Sequence, residues 1–272
     1  MKMERPRRPG ARRARLSSVA NSIRLVKVFS ETESELGISA LAARLGLAKS
    51  TVHRLAATLV DYDMLEQNRE TGRYRLGLSL FELGSLVRRK MDVWGEARPQ
   101  LHALREMTGE TAQLAIFDHL NVLYIHKMES RQAVRMSSNV GSRGPAYCTG
   151  VGKALLAFQP PEVIRLVIDA GLVRHTESTI TTADALQKEL AAVRGRGYAV
   201  DNEEMEAGLR CVAAPIRDHS GRVIAAIGVA GPVQRMTRKI LQTYVPLVTA
   251  SADAVSRRLG SASAPNFSAS EE

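Results

Sequence analysis

Residues 38–59 read ISALAARLGLAKSTVHRLAATL, with one apolar stripe on each side of Gly46. The members of each stripe recur at the spacing that lines one face of a helix. Glycine readily adopts the left-handed conformation that ends a helix, so Gly46 predicts a tight turn between two short helices. The stripes contain Ile38, Leu41, Ala42 and Leu45 in the first helix and Val52, Leu55, Ala56 and Leu59 in the second.

The outward face of the second predicted helix is short, polar and basic. It carries Lys49, Ser50, His53, Arg54 and Ala57 and no carboxylate. A helix-turn-helix presents such a face to the major groove of DNA, while its first helix braces the second. The alternative is a helical hairpin in an ordinary globular core, because glycine between two helices is common.

A predicted β-hairpin follows these two helices directly. Residues 64–76, MLEQNRETGRYRL, contain two short extended runs around a turn signal at 70–72. Arg69, Arg73 and Arg75 lie at or beside the tip. A helix-turn-helix followed by a basic hairpin is typical of a winged helix, whose wing reaches phosphates or the minor groove. The hairpin therefore favours DNA binding over the globular alternative.

The predicted partner of this unit is double-stranded operator DNA. The side chains expected in the major groove are Ser50, Thr51, His53 and Arg54. Arg54 is the first candidate for a bidentate contact to guanine. The side chains assigned to phosphates, which position a protein without reading sequence, are Lys49, Arg73 and Arg75. A dimer would read a pseudo-palindrome with half-sites ~10 bp, or a multiple of that, apart.

The length and charge of the chain indicate how its domains are organised. A chain of 272 residues is long enough for two domains. Residues 1–15 hold seven basic residues and one acidic residue, which is +6 of the net charge of +10. They predict a disordered arm that either follows the DNA backbone or is only a solvated tail. The arm is not expected to be a signal peptide, because no apolar segment follows it.

The sequence favours neither a membrane protein nor a metal-binding protein. The sequence contains no apolar run near the ~20 residues of a membrane span. Cys148 and Cys211 are isolated, so neither a zinc ribbon nor a disulfide framework is indicated, and a reducing cytoplasm is expected.

Helical periodicity flanks the predicted winged helix. Residues 16–31 predict a first amphipathic helix, and residues 78–93 predict a linker helix. The linker helix is the first candidate for contacts between two copies of the chain, unless it is only the last helix of the winged domain. The first helix is expected to bury Val19, Ile23, Leu25, Val26 and Phe29. The predicted divisions are 1–15, 16–77, 78–93, 94–260 and a disordered low-complexity tail at 261–272.

From Trp94 onward the pattern changes to alternating strands and helices. A helix over 99–108 precedes two strands around a turn at 118–121, and a third extended run covers 133–141. Further helices are predicted at 150–158, 160–171, 183–196 and 237–259, with strands at 198–204, 209–218 and 223–231. Roughly six strands in a meander flanked by helices predict an α+β sensor domain.

Six stretches between Leu16 and Gly260 stand out together: SSVANSIRLVKVF, LAKSTVHRLAATL, RETGRYRLG, PAYCTGVGKALLA, GYAVDNEEMEAGLRCVAAPI and VIAAIGVAGP. In sequence and in order they resemble the isocitrate-lyase-regulator (IclR) family of bacterial transcription regulators. The resemblance implies an N-terminal winged helix and a C-terminal GAF-like or PAS-like effector domain. It also implies homodimers, often paired into homotetramers, that control catabolic operons in response to an organic acid.

The resemblance also implies an effector pocket. The glycine-rich turn corresponds to Gly150 and Val151, whose backbone amides would meet a carboxylate, and amides at a helix N-terminus do form anion sites. The aspartate of the DxEE motif corresponds to Asp201, and the Leu-x-Cys strand to Leu209 and Cys211. By composition alone, Cys211 is a buried structural residue.

Two positions depart from the family's pattern. Family members that bind very small acids carry serines where this chain has Gly228 and Ala230. The departure removes two hydroxyl donors and is expected to add room. It favours a sugar acid or an aromatic acid over glyoxylate or pyruvate.

Other chemistries fit the sequence less well. GVGK is not a nucleotide loop, because Tyr147 stands where the first glycine belongs and Ala154 follows Lys153. The acidic run 201–206 has no histidine close by in sequence, so it indicates a solvated loop rather than a metal site. The chain lacks G-x-S-x-G and H-E-x-x-H, so no catalytic residue, cofactor or metal is predicted.

The sequence therefore predicts a DNA-binding regulator, a repressor of a catabolic operon, that senses a small organic acid such as a sugar acid. One alternative is an activator that responds to an aromatic acid. Another is a DNA-binding protein whose C-terminal domain only oligomerises around a filled pocket. A third is an enzyme with an appended DNA-binding module.

Overall fold

A computed structural model of the chain describes residues 17–30, 32–89, 92–132 and 139–261. The chain divides into two compact units, Met1–Lys90 and Met91–Glu272. The predicted basic arm, residues 133–138 of the predicted third extended run, and residues 262–272 of the predicted tail lie outside the described residues. No helix in the described ranges has both the length and the apolar character to cross a bilayer.

The first unit is a three-helix core with a small hairpin and a further helix. Its core packs Leu25, Leu41, Val52, Leu65 and Tyr74, which come from five elements and are almost completely buried. The elements are α1 (Ser17–Val26), α2 (Ile38–Leu45), α3 (Lys49–Asp61), β1 (Leu65–Gln67), β2 (Tyr74–Leu76) and α4 (Leu78–Arg89).

The turn between α2 and α3 forms as predicted. Gly46 has φ +66° and donates its backbone N–H to the carbonyl of Ala43 at 3.3 Å. In both helices the predicted stripes face the core: the buried residues are Leu41, Ala42 and Leu45 in α2 and Val52, Leu55 and Ala56 in α3. Local periodicity was sufficient here, because each stripe belongs to a single helix.

The prediction for α1 is wrong in length and in part of its buried face. The helix ends at Val26, and Val19 and Ile23 are 54% and 52% exposed, whereas Leu25 is fully buried. The chain leaves the helix early because it must return to the hairpin. There Leu36 and Tyr74 exchange two backbone hydrogen bonds of 2.9 Å. A core this small buries one side of α1 and leaves its other apolar residues outside.

The second unit contains a six-stranded antiparallel sheet between two layers of helices. In space the strand order is β5-β4-β3-β8-β7-β6. The strands are β3 (Thr111–Asp118), β4 (Asn121–Met128), β5 (Arg143–Pro145), β6 (Ala199–Asn202), β7 (Leu209–Arg217) and β8 (Val223–Pro232). The helices are α5 (Asp92–Thr108), α6 (Gly150–Leu156), α7 (Pro161–Asp169), α8 (Ala183–Arg196) and α9 (Arg238–Arg258).

Alternate residues of the strands supply two separate cores. One face packs Tyr124, Cys211 and Ala213 against α6 and α8, and the other packs Leu114 and Ile227 against α5 and α9. This alternation is what a pleated sheet covered on both sides requires. The predicted α+β class is confirmed.

Three details of this unit differ from the predictions. The sheet is not a simple meander, because β3 pairs with β8 as well as with β4, and 104 residues separate the end of β3 from the start of β8. The third strand of the unit lies at Arg143–Pro145, after the predicted run. Helix α5 begins at Asp92 and continues through Pro99. Pro99 and Gly95 are both exposed, so the carbonyl that loses its hydrogen bond faces water.

Candidate functional site

Helix α3 presents its N-terminal turns to solvent. Lys49, Ser50, His53 and Arg54 are exposed, and Thr51 is partly buried. The first turn contains no acidic residue. Within the described ranges, neither Lys49 nor Arg54 takes part in an ion pair. These cationic side chains are therefore available to an anionic partner such as DNA.

The hairpin after α3 has a well-defined tip. The Asn68 side-chain oxygen accepts hydrogen bonds from the backbone N–H groups of Glu70 at 2.9 Å and Thr71 at 3.2 Å. Gly72 closes the turn with φ +66° and donates to the Asn68 carbonyl at 2.8 Å. Arg73 is exposed beside this turn.

Arg75 is placed differently from the other predicted phosphate contacts. It lies directly opposite Glu66 in the hairpin, and its Nη2 is 2.7 Å from the Glu66 carboxylate. The Glu35 carboxylate is 3.7 Å from Nη1. This cross-strand pair already partly neutralises Arg75, so a phosphate would have to compete with Glu66.

Substitutions on α3 and the hairpin separate base reading from phosphate binding. Arg54→Ala is expected to lose about 1–3 kcal/mol of binding at one base position and to relax specificity there. Arg73→Ala should weaken binding on all sequences alike and reduce the salt slope by about one. Arg75→Ala is the matched control. It should weaken DNA binding less than Arg73→Ala does, because Arg75 is already paired with Glu66. Equal weakening on every sequence by Arg54→Ala would instead make Arg54 a phosphate contact; DNA-binding titrations on single-base variants distinguish the two.

A cavity of about 150 Å³ lies in the second unit beside the N-terminus of α6. Five of the seven predicted effector residues line it: Gly150, Asp201, Leu209, Cys211 and Ala230. The other lining residues are Gln113, Tyr124, Ser142, Arg143, Gly144, Thr149, Met205, Glu206 and Arg210. All six strands of the sheet therefore contribute to the lining, together with the segment before α6, the first residue of α6 and the segment between β6 and β7.

Val151 and Gly228 do not line this cavity. Val151 is fully buried in the core between α6 and the sheet. A Cβ atom at Gly228 would lie 2.6 Å from the Val212 carbonyl oxygen and 2.8 Å from the Ala213 Cβ. The expectation that glycine at 228 adds room is wrong, because the neighbouring strand already occupies that space.

Glycine at position 150 allows α6 to approach β7 closely. A Cβ there would lie 2.6 Å from the Cys211 Sγ atom. The helix is capped by Thr149, whose Oγ1 accepts the Gly152 N–H at 3.2 Å. Any side chain at 150 would push the start of α6 away from the strand and deform the cavity.

Asp201 is the most perturbed acid of the cavity. It is 7% exposed, and burial raises its pKa to about 7. A 2.7 Å hydrogen bond from the Glu204 N–H lowers the pKa, and the Glu204 charge raises it. At neutral pH a large fraction of Asp201 is therefore protonated. In that form its carboxyl group can donate a hydrogen bond to a ligand carboxylate.

Next to Asp201 lies a buried ion-pair network that sequence reasoning missed. Lys153 of α6 is only 1% exposed, and its Nζ is 2.5 Å from a Glu204 oxygen and 3.2 Å from a Glu189 oxygen. Glu189 in turn accepts from Arg196 at 2.8 Å. Burial raises the pKa of Glu204, and the Lys153 charge opposes that rise. The sequence feature that could have indicated this network is one lysine inside the apolar run of α6.

The cavity is also lined by two arginines that are already paired, Arg143 with Asp118 and Arg210 with Glu203, and by the exposed acid Glu206. Arg210 donates to Asn202 at 2.7 Å and lies 3.2 Å from a Glu203 oxygen. Burial raises the pKa of the Cys148 and Cys211 thiols to about 12, so neither is a nucleophile at neutral pH. Across the described ranges, no cluster of three His, Cys, Asp or Glu side chains is placed to hold a metal.

Two family models match the chain. The IclR helix-turn-helix domain matches residues 18–69, and the bacterial transcriptional regulator IclR C-terminal domain matches residues 86–257. These ranges contain α3 and the cavity, respectively.

Curated relatives align over almost the whole chain. The HTH-type transcriptional regulator KdgR of Escherichia coli is 37% identical over 246 residues, which are 90% of this chain and 93% of the relative. The HTH-type transcriptional repressor AllR of Salmonella typhimurium is 33% identical over 89% of this chain and 90% of its own length. The prediction of a regulator rather than an enzyme is confirmed by these relatives.

Solved structures extend the similarity to the fold. The IclR structure from Thermotoga maritima has a TM-score of 0.76 at 30% identity and covers 90% of this chain and 100% of its own. An IclR homolog from Microbacterium hydrocarbonoxydans, solved in complex with 4-hydroxybenzoate, has a TM-score of 0.80 at 29% identity, with 89% and 98% coverage. Family models match both units of the chain, and relatives align over almost its whole length. The chain therefore belongs to the IclR family of DNA-binding transcriptional regulators.

Proposed function

We propose that this chain is a repressor that binds operator DNA through α3 and the hairpin and releases it when a small organic acid enters the cavity. The main support for this proposal is the cavity itself. Asp201 and the backbone of Gly150 both line it, and Asp201 is buried with a raised pKa. Relatives named as repressors, such as AllR, support the sign of regulation.

The size of the cavity supports a single small ligand. Its volume of about 150 Å³ equals that of a cavity that holds one benzene molecule, ~150 Å³. The polar wall supports an acid. A protonated Asp201 donates to a carboxylate, and the ligand charge raises the pKa of Asp201 further. Affinity is therefore expected to fall as pH rises above about 7.

The cavity also bears on two alternatives. An open space between Gly150, Asp201 and Cys211 argues against a C-terminal domain that only oligomerises around a filled pocket. A sugar acid remains the proposed ligand. An aromatic acid is the second candidate, and the 4-hydroxybenzoate complex of the Microbacterium homolog favours it.

Assembly and domain roles complete the proposal. Leu78, Phe81 and Val87 of α4 are 71%, 69% and 63% exposed, an apolar face that supports contacts to a second copy of the chain. We assign residues 78–93 to these linker contacts, 16–77 to DNA binding and 94–260 to effector binding and oligomerisation. The proposed assembly is a homodimer or homotetramer that acts in the cytoplasm.

The proposal is tested with DNA selected from a random pool by the full-length chain. Keto acids, sugar acids and aromatic acids are then added, and DNA affinity is followed by fluorescence anisotropy. At least one acid is expected to weaken DNA binding about 5–150-fold, the usual range of coupling between two sites. Asp201→Ala should bind the same DNA but no longer respond.

The other outcomes are informative. An acid that strengthens DNA binding would contradict release and support the activator alternative. If no acid in the panel changes DNA affinity, the oligomerisation alternative is supported instead.

A further inference from the structure

One buried polar atom at the cavity has no hydrogen-bond partner in the part of the chain that the structure describes. Gln113 is 2% exposed, and its Oε1 atom accepts no hydrogen bond. Tyr124, which is 6% exposed, brings a hydroxyl group to the same cavity. Both side chains line the cavity. Buried polar groups are nearly always satisfied, so such exceptions point to a missing partner.

The strand register explains why Gln113 is held in this position. Gln113 of β3 pairs with Gly228 of β8, which pairs with Ala213 of β7. Cys211 lies two residues before Ala213 on β7, and the Gln113 side chain reaches it, with Nε2 3.5 Å from Sγ. A thiol is a weak partner. The interaction fixes the amide and leaves Oε1 without a donor.

The chemistry of these atoms selects the missing partner. The amide oxygen Oε1 needs a hydrogen-bond donor, which an ionised carboxylate does not supply. A hydroxyl group donates to Oε1 and also accepts from the Tyr124 hydroxyl. If the Gln113 amide is flipped, its NH₂ group takes the place of Oε1. A ligand hydroxyl still fits, because a hydroxyl is both a donor and an acceptor.

Tyr124 stays neutral and keeps its proton. Burial raises the pKa of its hydroxyl above the ordinary value. Asp201 and the Gly150 backbone lie on the same cavity and suit the carboxylate of a ligand. The cavity thus offers two kinds of polar partner, one for a carboxylate and one for a hydroxyl.

We propose that the effector is a hydroxylated carboxylic acid whose hydroxyl group is recognised by Gln113 and Tyr124. This inference rests on the proposed effector site and narrows its ligand class. Acids of the same size that lack a hydroxyl would leave the buried Gln113 amide oxygen unpaired and would bind more weakly.

The test uses pairs of acids that differ by one hydroxyl: 4-hydroxybenzoate and benzoate, lactate and propionate, and 3-hydroxybutyrate and butyrate. Affinities for the full-length chain are measured by isothermal titration calorimetry. In at least one pair the hydroxylated acid should bind about tenfold or more tightly than its partner. Gln113→Met should bring this ratio close to one, and Tyr124→Phe should lower it severalfold.

Tyr147→Phe is the matched control. The Tyr147 side chain is also largely buried, but its hydroxyl donates to the Val173 carbonyl at 2.7 Å and does not line the cavity. The affinity ratio should be unchanged in this variant. Thermal unfolding without ligand checks that each variant folds, and Tyr124→Phe carries the test if Gln113→Met does not fold.

Each remaining outcome has a definite meaning. Equal binding of both members of every pair to the wild-type chain would overturn hydroxyl recognition and leave the effector site intact. An affinity ratio unchanged in both variants would also overturn it. If no acid of any pair binds at millimolar concentration, the effector site itself is contradicted together with this inference.

Discussion

Replacing Lys153 by alanine is expected to lower the free energy of unfolding of the second unit by about 3–5 kcal/mol at pH 7. The Lys153 ammonium group is 1% exposed and lies 2.5 Å from Glu204 and 3.2 Å from Glu189. Removing it leaves the buried Glu204 carboxylate without its counter-ion. Glu189 is less affected, because it keeps its pair with Arg196.

Urea unfolding followed by tryptophan fluorescence measures this effect. Trp94 is the one tryptophan of the chain, and it belongs to the second unit. The matched control is Lys188→Ala, an exposed lysine on α8, for which we expect a change within about 0.5 kcal/mol. A loss in Lys153→Ala no larger than that of Lys188→Ala would contradict the assigned role of the network.

A double variant separates charge from packing. Lys153→Met with Glu204→Leu replaces the ion pair by apolar side chains of similar volume. Such replacements are often neutral or stabilising, so most of the loss seen in Lys153→Ala should be regained. If the double variant is as unstable as Lys153→Ala, the loss arises from packing rather than from the uncompensated charge.

The second large effect is a fall in stability as pH rises from about 4 to about 7. The pKa of Asp201 is about 7 in the folded chain, against an ordinary value of 3.8. Between these two values the folded state binds one proton more than the unfolded state. Stability therefore decreases with rising pH, by up to about 1.4 kcal/mol per pH unit and about 4 kcal/mol in all. Above pH 7 this contribution levels off.

Asp201→Asn isolates this contribution. Other acids titrate too: hydrogen bonds from Ser220 lower the pKa of Asp218 to about 2, which acts in the opposite sense at lower pH. The informative quantity is thus the difference in unfolding free energy between Asp201→Asn and the wild type, from pH 4.5 to 8. It should grow in favour of the variant up to about pH 7. A difference that is constant with pH would contradict a raised pKa at Asp201.

The sequence predicted the features that depend on local order. The helix-turn-helix followed from two stripes and Gly46, because each stripe lies on one helix. The lengths of α1 and α5 were wrong, because pairing of Leu36 with Tyr74 and exposure of Pro99 depend on the rest of the fold.

The cavity was predicted only in part. Asp201 and Cys211 came from the family resemblance, whereas Gln113 and Tyr124 were not predicted. Their role depends on the pairing of β3 with β8, and Gln113 is 98 residues from Cys211 in sequence. Lys153 was missed for a related reason: its carboxylate partners lie on α8 and after β6. Spacing along the chain carries no record of such contacts.

Thermal unfolding of the full-length chain with sugar, keto and aromatic acids is the most direct test of a ligand at Asp201. An acid at 100 times its dissociation constant should stabilise the wild-type chain by about 2.7 kcal/mol. Asp201→Ala should lose this shift, whereas Asp169→Ala, an exposed aspartate on α7, should keep it. An equal shift in Asp201→Ala would place the ligand elsewhere, and the absence of any shift in the wild type would contradict an effector site in this cavity.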